Sequence, residues 1–260
     1  MENYLKGNLY TNTADYYDYD NRDIIKDDLD FYVEYAAQTK GPILELGSGT
    51  GRVSLYLAEK TRRTVECVEL SEAMIERFRH KLASSHKNLS PYLSIQCGDM
   101  EKFDLGRTFE YIIIPWRALQ YLPEQEQTAA CLRQVHRHLS NTGLFIFDIF
   151  KPRTYDAAWV GQEAVSYDIM DGDKRIIRST VNCYANTVKK NIWYMNKIRV
   201  IEDGREDSKE DMLTYKYYDY EDITGILESL NFRIEAEFGY YDKRSIPEGD
   251  EMIFVCSKKS

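Results

Sequence analysis

Apolar positions along this chain follow two periods. From Ile43 to Ile149, short apolar runs alternate with longer stretches whose apolar residues fall three and four apart. The first pattern predicts buried strands and the second amphipathic helices. The predicted strands are Ile43–Leu46, Thr64–Leu70, about Leu93–Cys97, Tyr111–Pro115 and Leu144–Ile149. The helices between them are Arg52–Glu59, Ser71–Leu82 with Ser71 as N-cap, and Glu124–Leu139. Asn141-Thr142-Gly143 marks a turn before the fifth strand. Strands that are apolar on both faces and alternate with helices predict a doubly wound α/β sheet.

Between about Lys151 and Tyr217 the period becomes two. Strands are expected at Ala164–Met170, Arg175–Tyr184, Asn191–Ile201 and Asp211–Tyr217, with hairpin turns at Asp171-Gly172-Asp173 and Asp203-Gly204-Arg205. This reads as an inserted antiparallel meander. Helix Tyr220–Leu230, capped by Asp219, and strands Phe232–Phe238 and Glu251–Ser257 return to the first pattern. Ahead of the first strand, Phe31, Tyr32 and Tyr35 share one face of a helix that starts at Asp28. The stretch before it is dense in Tyr and Asp: Tyr16, Tyr17, Asp18, Tyr19, Asp20, Asn21, Arg22 and Asp23. It is either a solvated arm or a lid with aromatic faces. The expected division is an N-terminal helical arm at 1–40, a core at 41–150 and 216–260, and an antiparallel β insertion at 151–215 that caps the active site.

Chemistry concentrates at Glu45-Leu46-Gly47-Ser48-Gly49-Thr50-Gly51. Glycines at alternate positions let the backbone approach a ligand closely. The following helix presents unpaired N–H groups and a partial positive charge. Glu45 puts a carboxylate in an otherwise apolar strand, where acids rarely stay without a partner. Glu69 ends strand two, 18 residues after Gly51, where a carboxylate can accept hydrogen bonds from both ribose hydroxyls of a nucleotide-like ligand. Gly98-Asp99-Met100 closes strand three and offers an acceptor for a base amino group. Pro115-Trp116-Arg117 closes strand four, at the mouth of the sheet next to strand one.

Composition narrows the partners. The net charge of -9 opposes a polyanionic ligand such as nucleic acid. The five cysteines stand singly, without metal-ligand or disulfide spacing, so reduced thiols in a cytoplasmic protein are expected and no metal. No signal peptide and no membrane-spanning apolar run is read from the sequence.

Taken in order, Glu45–Gly51, Val65–Ser71, Gln96–Met100 and the Pro115–Tyr121 continuation resemble the motifs of class I S-adenosylmethionine-dependent methyltransferases of the small-molecule type. The resemblance covers about Ile43–Phe150 well, and the last helix and two strands less specifically. It implies a Rossmann-like, mostly parallel seven-stranded sheet with S-adenosyl-L-methionine as cofactor. Gly47, Ser48, Gly49 and Gly51 would border its methionine part and ribose, and Glu45 would support its amino group. Glu69 would bind the ribose, and Leu70 would pack on the adenine. Gly98, Asp99 and Met100 would hold the adenine edge, and Pro115 would face the sulfonium. Tyr17 and Arg22 of the arm would reach the carboxylate. Members of the family often carry His where Tyr121 stands and Pro where Asn141 stands.

The implied reaction is in-line methyl transfer to an N or O atom of a small-molecule acceptor. Positioning and desolvation carry much of it. A base is needed only for a protonated amine or a hydroxyl. Tyr121 and Arg117 are the catalytic candidates, and His80, His86, His136 and His138 are expected on the surface. Trp159, Tyr167, Tyr194 and Tyr215 of the insertion are expected to wall the acceptor site. The protein is expected as a monomer, or as a homodimer through the outer face of the insertion. Two other readings use the same turn: a non-catalytic cofactor-binding protein, and an NAD-dependent oxidoreductase, whose usual fingerprint places the third glycine one residue later.

Overall fold

The computed structural model describes residues 10–20, 22, 26–151 and 160–259. Helices are α1 Leu29–Ala36, α2 Arg52–Thr61, α3 Glu72–Ser84, α4 Gln125–His138 and α5 Tyr220–Ser229. Strands are β1 Ile43–Leu46, β2 Val65–Glu69, β3 Leu93–Cys97, β4 Phe109–Ile114, β5 Leu139–Phe150, β6 Glu163–Asp171, β7 Lys174–Asn186, β8 Asn191–Glu202, β9 Arg205–Lys216, β10 Phe232–Phe238 and β11 Glu251–Lys258.

The main sheet has the order β10-β11-β5-β4-β1-β2-β3. β3, β2, β1, β4 and β5 run parallel, and β11 is antiparallel to both β5 and β10. The two-residue period of the strands sorts their side chains onto two faces. Leu44, Leu46, Ile112, Ile114, Phe145 and Phe147 pack with Leu132 and Val135 of α4 and Leu227 of α5. Ile43, Val65, Cys67, Tyr111 and Ile113 pack with Tyr32 of α1, Val53 and Leu57 of α2, and Phe78 of α3. Burying each large apolar side chain contributes roughly 1.5–3 kcal/mol. Glu45 alternates onto the second face. The chain leaves β1 in one direction along the sheet and β4 in the other, so a crevice opens beyond their carboxyl ends.

The second sheet is the antiparallel meander β6-β7-β8-β9. Asp203 and Gly204, with φ of 51° and 74°, make a turn whose twist suits a tight hairpin. β9 begins earlier than expected: its first half, Arg205–Asp211, is polar on both faces and carries no apolar alternation to reveal it. β5 also starts early, at Leu139. The predicted Asn141–Gly143 turn is an irregularity in its pairing, because Phe109 faces Leu139 while Tyr111 faces Leu144.

The inner face of this cap covers the N-terminal arm. Tyr167, Ile176 and Ile198 pack with Tyr16 and Tyr19. Tyr194 and Leu213 pack with Tyr10, Ala14 and Met74 of α3. Buried Asp211 of β9 accepts from the main-chain N–H of Thr13 (3.0 Å) and from its hydroxyl (2.6 Å). Asp18 accepts from Thr50 of the glycine turn (2.6 Å) and Lys81 of α3 (2.9 Å), which ties the arm to the core. Gln120, fully buried, accepts from the Phe150 N–H and donates to the Lys216 carbonyl, both at 2.9 Å. One amide thereby joins the chain where it leaves the core and where it returns. Trp159, expected in the acceptor wall, lies outside the described residues. Among the described residues no helix is long and apolar enough to cross a membrane.

Asp148 shapes the end of β4. Fully buried in β5, it accepts from the main-chain N–H groups of Trp116 and Arg117, both at 2.8 Å, and from the Tyr32 hydroxyl at 2.6 Å. Trp116 and Arg117 have φ of 54° and 63°, a left-handed pair that costs non-glycine residues free energy. Asp148→Ala would leave two N–H donors and a phenol without their acceptor. It is expected to lower unfolding free energy by about 3 kcal/mol in urea titration. Asp148→Asn, which keeps one acceptor oxygen, should lose less, and an unchanged midpoint for Asp148→Ala would remove this role.

Candidate active site

Two clefts meet under the cap. The first, about 630 Å³, lies over the carboxyl ends of β1, β2 and β3 and along the segment after β4. Gly47, Gly49, Glu69, Leu70, Gly98, Asp99, Met100, Pro115 and Tyr121 all line it, so the structure brings these predicted residues together. A Cβ at Gly47 (φ +69°) would stand 2.8 Å from the Ala118 Cβ. Gly49 (φ +54°) has open space where its Cβ would be. Gly51 stands apart from the cleft wall: it caps α2, and a Cβ there would lie 2.4 Å from the Phe78 ring.

Glu69 accepts from the main-chain N–H groups of Gly49 and Ser71, both at 2.8 Å. Burial pushes its carboxyl up, and these N–H groups oppose the shift. The one carboxylate therefore fixes the glycine turn and the start of α3 while facing the cleft. Asp99 accepts from the Glu101 N–H (2.9 Å) and pairs with Lys102 (3.2 Å).

Glu45 and Ser48 are buried behind the turn rather than in either cleft wall. Glu45 accepts from the Ser54 hydroxyl of α2, which also contacts the Cys67 thiol at 3.0 Å. Burial pushes the Glu45 carboxyl up to about 8.

The second cleft, about 790 Å³, lies between the arm, the cap and the mouth of the main sheet. It shares Tyr10, Tyr17 and Trp116 with the first. Arg22 lines it, paired with Asp20 through Nε (2.8 Å) and Nη2 (2.6 Å). Arg52, the first residue of α2, grips buried Asp28 through both terminal nitrogens (2.5 and 2.6 Å) and lies 5.0 Å over the Trp116 ring. Arg117 pairs with Glu251 of β11. Burial pushes Glu251 up to about 7, against the pull of that guanidinium.

Four phenols converge where the clefts meet. The Tyr121 hydroxyl lies 2.5 Å from Tyr10, 2.8 Å from Tyr215 and 3.0 Å from Tyr194. These residues come from the arm, the segment after β4 and two cap strands. Burial raises Tyr10 to about 12 and Tyr121 well above its ordinary value. They are neutral phenols near neutral pH, suited to donate and accept hydrogen bonds. A guanidinium stays charged in proteins. Neither Tyr121 nor Arg117 is therefore built to take up a proton.

The histidine expectation holds for exposed His80 alone, since His86 is half-buried and lines the second cleft and the other two are withdrawn into the helix packing. His138 is 2% exposed rather than on the surface. Its Nε2 accepts from the Leu105 N–H at 3.0 Å and its Nδ1 lies 2.8 Å from the Gln134 carbonyl, so it serves packing. His136 is half-buried against Phe232. Asp148, Gln120, Arg52 and Arg178 were not singled out from the sequence. The signal for Asp148 was present: a lone acid in an apolar strand, the same cue that marked Glu45.

Comparison with known proteins agrees with this geometry. Residues 43–143 match the family model described as a methyltransferase domain. A putative methyltransferase YqeM of Bacillus subtilis is 31% identical over 118 residues, 45% of this chain and 46% of that one. The dTDP-3-amino-3,4,6-trideoxy-alpha-D-glucopyranose N,N-dimethyltransferase of Streptomyces venezuelae is 27% identical over 127 residues, 48% of this chain and 50% of that one. The chain thus spans about half the length of these two curated relatives. Over nearly the whole chain, the fold is that of the CcbJ methyltransferase from Streptomyces caelestis, with TM-score 0.78, 20% identity and coverage of 96% and 97%.

The Glu45 environment predicts a pH dependence. Its folded pKa lies above its unfolded value, so between about pH 4.5 and 8 the folded state holds a proton that the unfolded state has released. Stability from this group is present below that window and falls as pH rises through it. Glu45→Gln, which cannot ionise, should flatten the decline of thermal midpoint between about pH 5 and 8. Parallel wild-type and variant profiles would mean that Glu45 is ionised in the folded protein.

Proposed function

We propose that the chain, whose residues 43–143 match a methyltransferase domain, is a class I S-adenosylmethionine-dependent methyltransferase that transfers a methyl group from S-adenosyl-L-methionine to a nitrogen atom of a small-molecule acceptor held under the cap. The observation that carries this is the junction of the two clefts at Tyr10, Tyr17 and Trp116, with four neutral phenols gathered beside it.

The residues of the first cleft fit the cofactor. Glu69 receives the ribose hydroxyls, Leu70 and Met100 give the adenine apolar faces, and Asp99 accepts from its amino group. The open surroundings of Gly49 leave room for a ligand against bare backbone, whereas the space at Gly47 is taken by Ala118. When bound, the cofactor supplies a methyl group on a sulfonium, whose departure leaves a neutral thioether. The protein's own part is positioning and exclusion of water. The arm and cap close the junction with Tyr10, Tyr194 and Tyr215. The Tyr121 hydroxyl orients the acceptor nitrogen by hydrogen bonding, so that its lone pair faces the first cleft.

A neutral amine needs no base before attack, whereas a hydroxyl acceptor does. Phenols held neutral by burial suit the amine. The amino-sugar N,N-dimethyltransferase relative also acts, by its name, on nitrogen.

Calorimetry with S-adenosyl-L-homocysteine is expected to give micromolar binding, on the order of 8 kcal/mol. NAD should not compete. Glu69→Ala should weaken the affinity at least tenfold, since two charge-assisted bonds and the clamp on Gly49 are lost together. Absence of both heat and thermal shift in the wild type would overturn the cofactor assignment. Tyr121→Phe should lower kcat on an amine acceptor at least tenfold with cofactor affinity unchanged. An unaltered kcat would remove Tyr121 from acceptor orientation.

A further inference from the structure

The second cleft carries a charge opposite to that of the protein. Among the described residues six cationic side chains line it against three carboxylates, in a chain whose net charge is -9. Most of these cations are neutralised locally. Arg22 holds Asp20, Lys81 holds Asp18, Arg52 holds Asp28 and Arg117 holds Glu251.

Arg178 of β7 differs. Its side chain is 13% exposed, and its Nε donates to Asn196 at 2.9 Å. Its guanidinium lies 5.2 Å over the Tyr17 ring. Among the described residues its nearest acid oxygen is Asp20 Oδ2, 3.8 Å from Nη1, beyond hydrogen-bond reach and already bonded to Arg22. Thr180 and Asn182 follow on the same strand face and line the same cleft, supplying polar groups beside the cation. A buried guanidinium is costly unless a carboxylate or phosphate meets its fork of donors.

We propose that Arg178 is the anchor of an oxyanion subsite in the acceptor cleft, so that the acceptor carries a phosphate or carboxylate remote from its methylated atom. This rests on the function proposed above and names its substrate class. The subsite sits on the cap, in the cleft that Gly47 and Gly49 do not line. Oxyanion binding holds the acceptor by a group that takes no part in the reaction, leaving the phenol cluster to orient the nitrogen.

The test uses the full chain saturated with S-adenosyl-L-homocysteine, titrated calorimetrically with inorganic phosphate, pyrophosphate and succinate. Saturable binding of at least one probe is expected, and phosphate against succinate tells which anion the site prefers. Arg178→Met should weaken that binding at least tenfold. Arg178→Lys, which keeps the charge but not the fork, should fall between. Arg175→Met, at an exposed arginine paired with Asp168, should change nothing. Homocysteine-product affinity should stay within threefold in all variants. The proposal is overturned if no probe binds the wild type, or if Arg178→Met and Arg178→Lys, folded by circular dichroism, bind the probes as the wild type does. It is equally overturned if Arg178→Met loses affinity for S-adenosyl-L-homocysteine, because the cation then serves the cofactor carboxylate. If the wild type binds no S-adenosyl-L-homocysteine, the methyltransferase reading fails, and the same titrations without it still decide whether Arg178 holds an oxyanion.

Discussion

A single buried carboxylate organises the mouth of this molecule. Asp148 sits in β5, next to β4 in the sheet, and takes the main-chain N–H groups of Trp116 and Arg117. Without those two bonds, a pair of left-handed non-glycine residues would lack compensation. With them, the chain turns sharply at the end of β4. Pro115 then faces the first cleft, the Trp116 ring stands between the two clefts, and Arg117 turns toward Glu251. The short helical turn that follows carries Gln120 and Tyr121 to their partners. The same carboxylate also receives Tyr32 from α1, so the helix before the first strand is locked to the turn that shapes the site.

Charge burial is the recurring device. Glu45, Glu69, Asp28, Asp148 and Glu251 are all withdrawn from water, and burial shifts each toward its protonated form. What separates them is the compensation each receives. Asp28 and Glu251 have guanidinium partners. Glu69 and Asp148 rely on main-chain N–H groups, which cannot move away without unfolding a turn. Glu45 has a serine hydroxyl, and burial pushes it up to about 8.

The parallel core was legible because its strands are apolar on both faces, so their period and their glycine turn agree. The motif residues lining the first cleft follow from that, since strand ends converge at a switch point. The second cleft was legible only in part. The cap was expected over the mouth, and Tyr194 and Tyr215 do line the cleft, whereas Tyr167 packs on the arm instead of walling it. The cleft's walls come from the arm, the segment after β4 and the cap, which are far apart in the chain and share no local pattern. Arg178 reads in isolation as one more polar residue on an alternating strand. Tyr10 reads as part of an acidic, aromatic arm. Their common destination depends on tertiary ties such as Asp211 to Thr13, which have no signature in spacing. The early start of β9 was hidden for a related reason: a strand polar on both faces has no apolar alternation to show.

The Gln120 amide has a consequence for how such a molecule can change. It bonds to the chain at Phe150, where the cap departs, and at Lys216, where it comes back. The two crossings are therefore neighbours, and a different cap can be grafted there without cutting a strand of the core. Yet Asp211 binds the cap to Thr13, and the cap's apolar face closes on Tyr16, Tyr19, Tyr10 and Ala14. A grafted cap with a foreign inner face would find the resident arm mismatched. The interchangeable module is the cap together with the first stretch of the chain, two pieces distant in sequence that have to be inherited, or transplanted, as a pair.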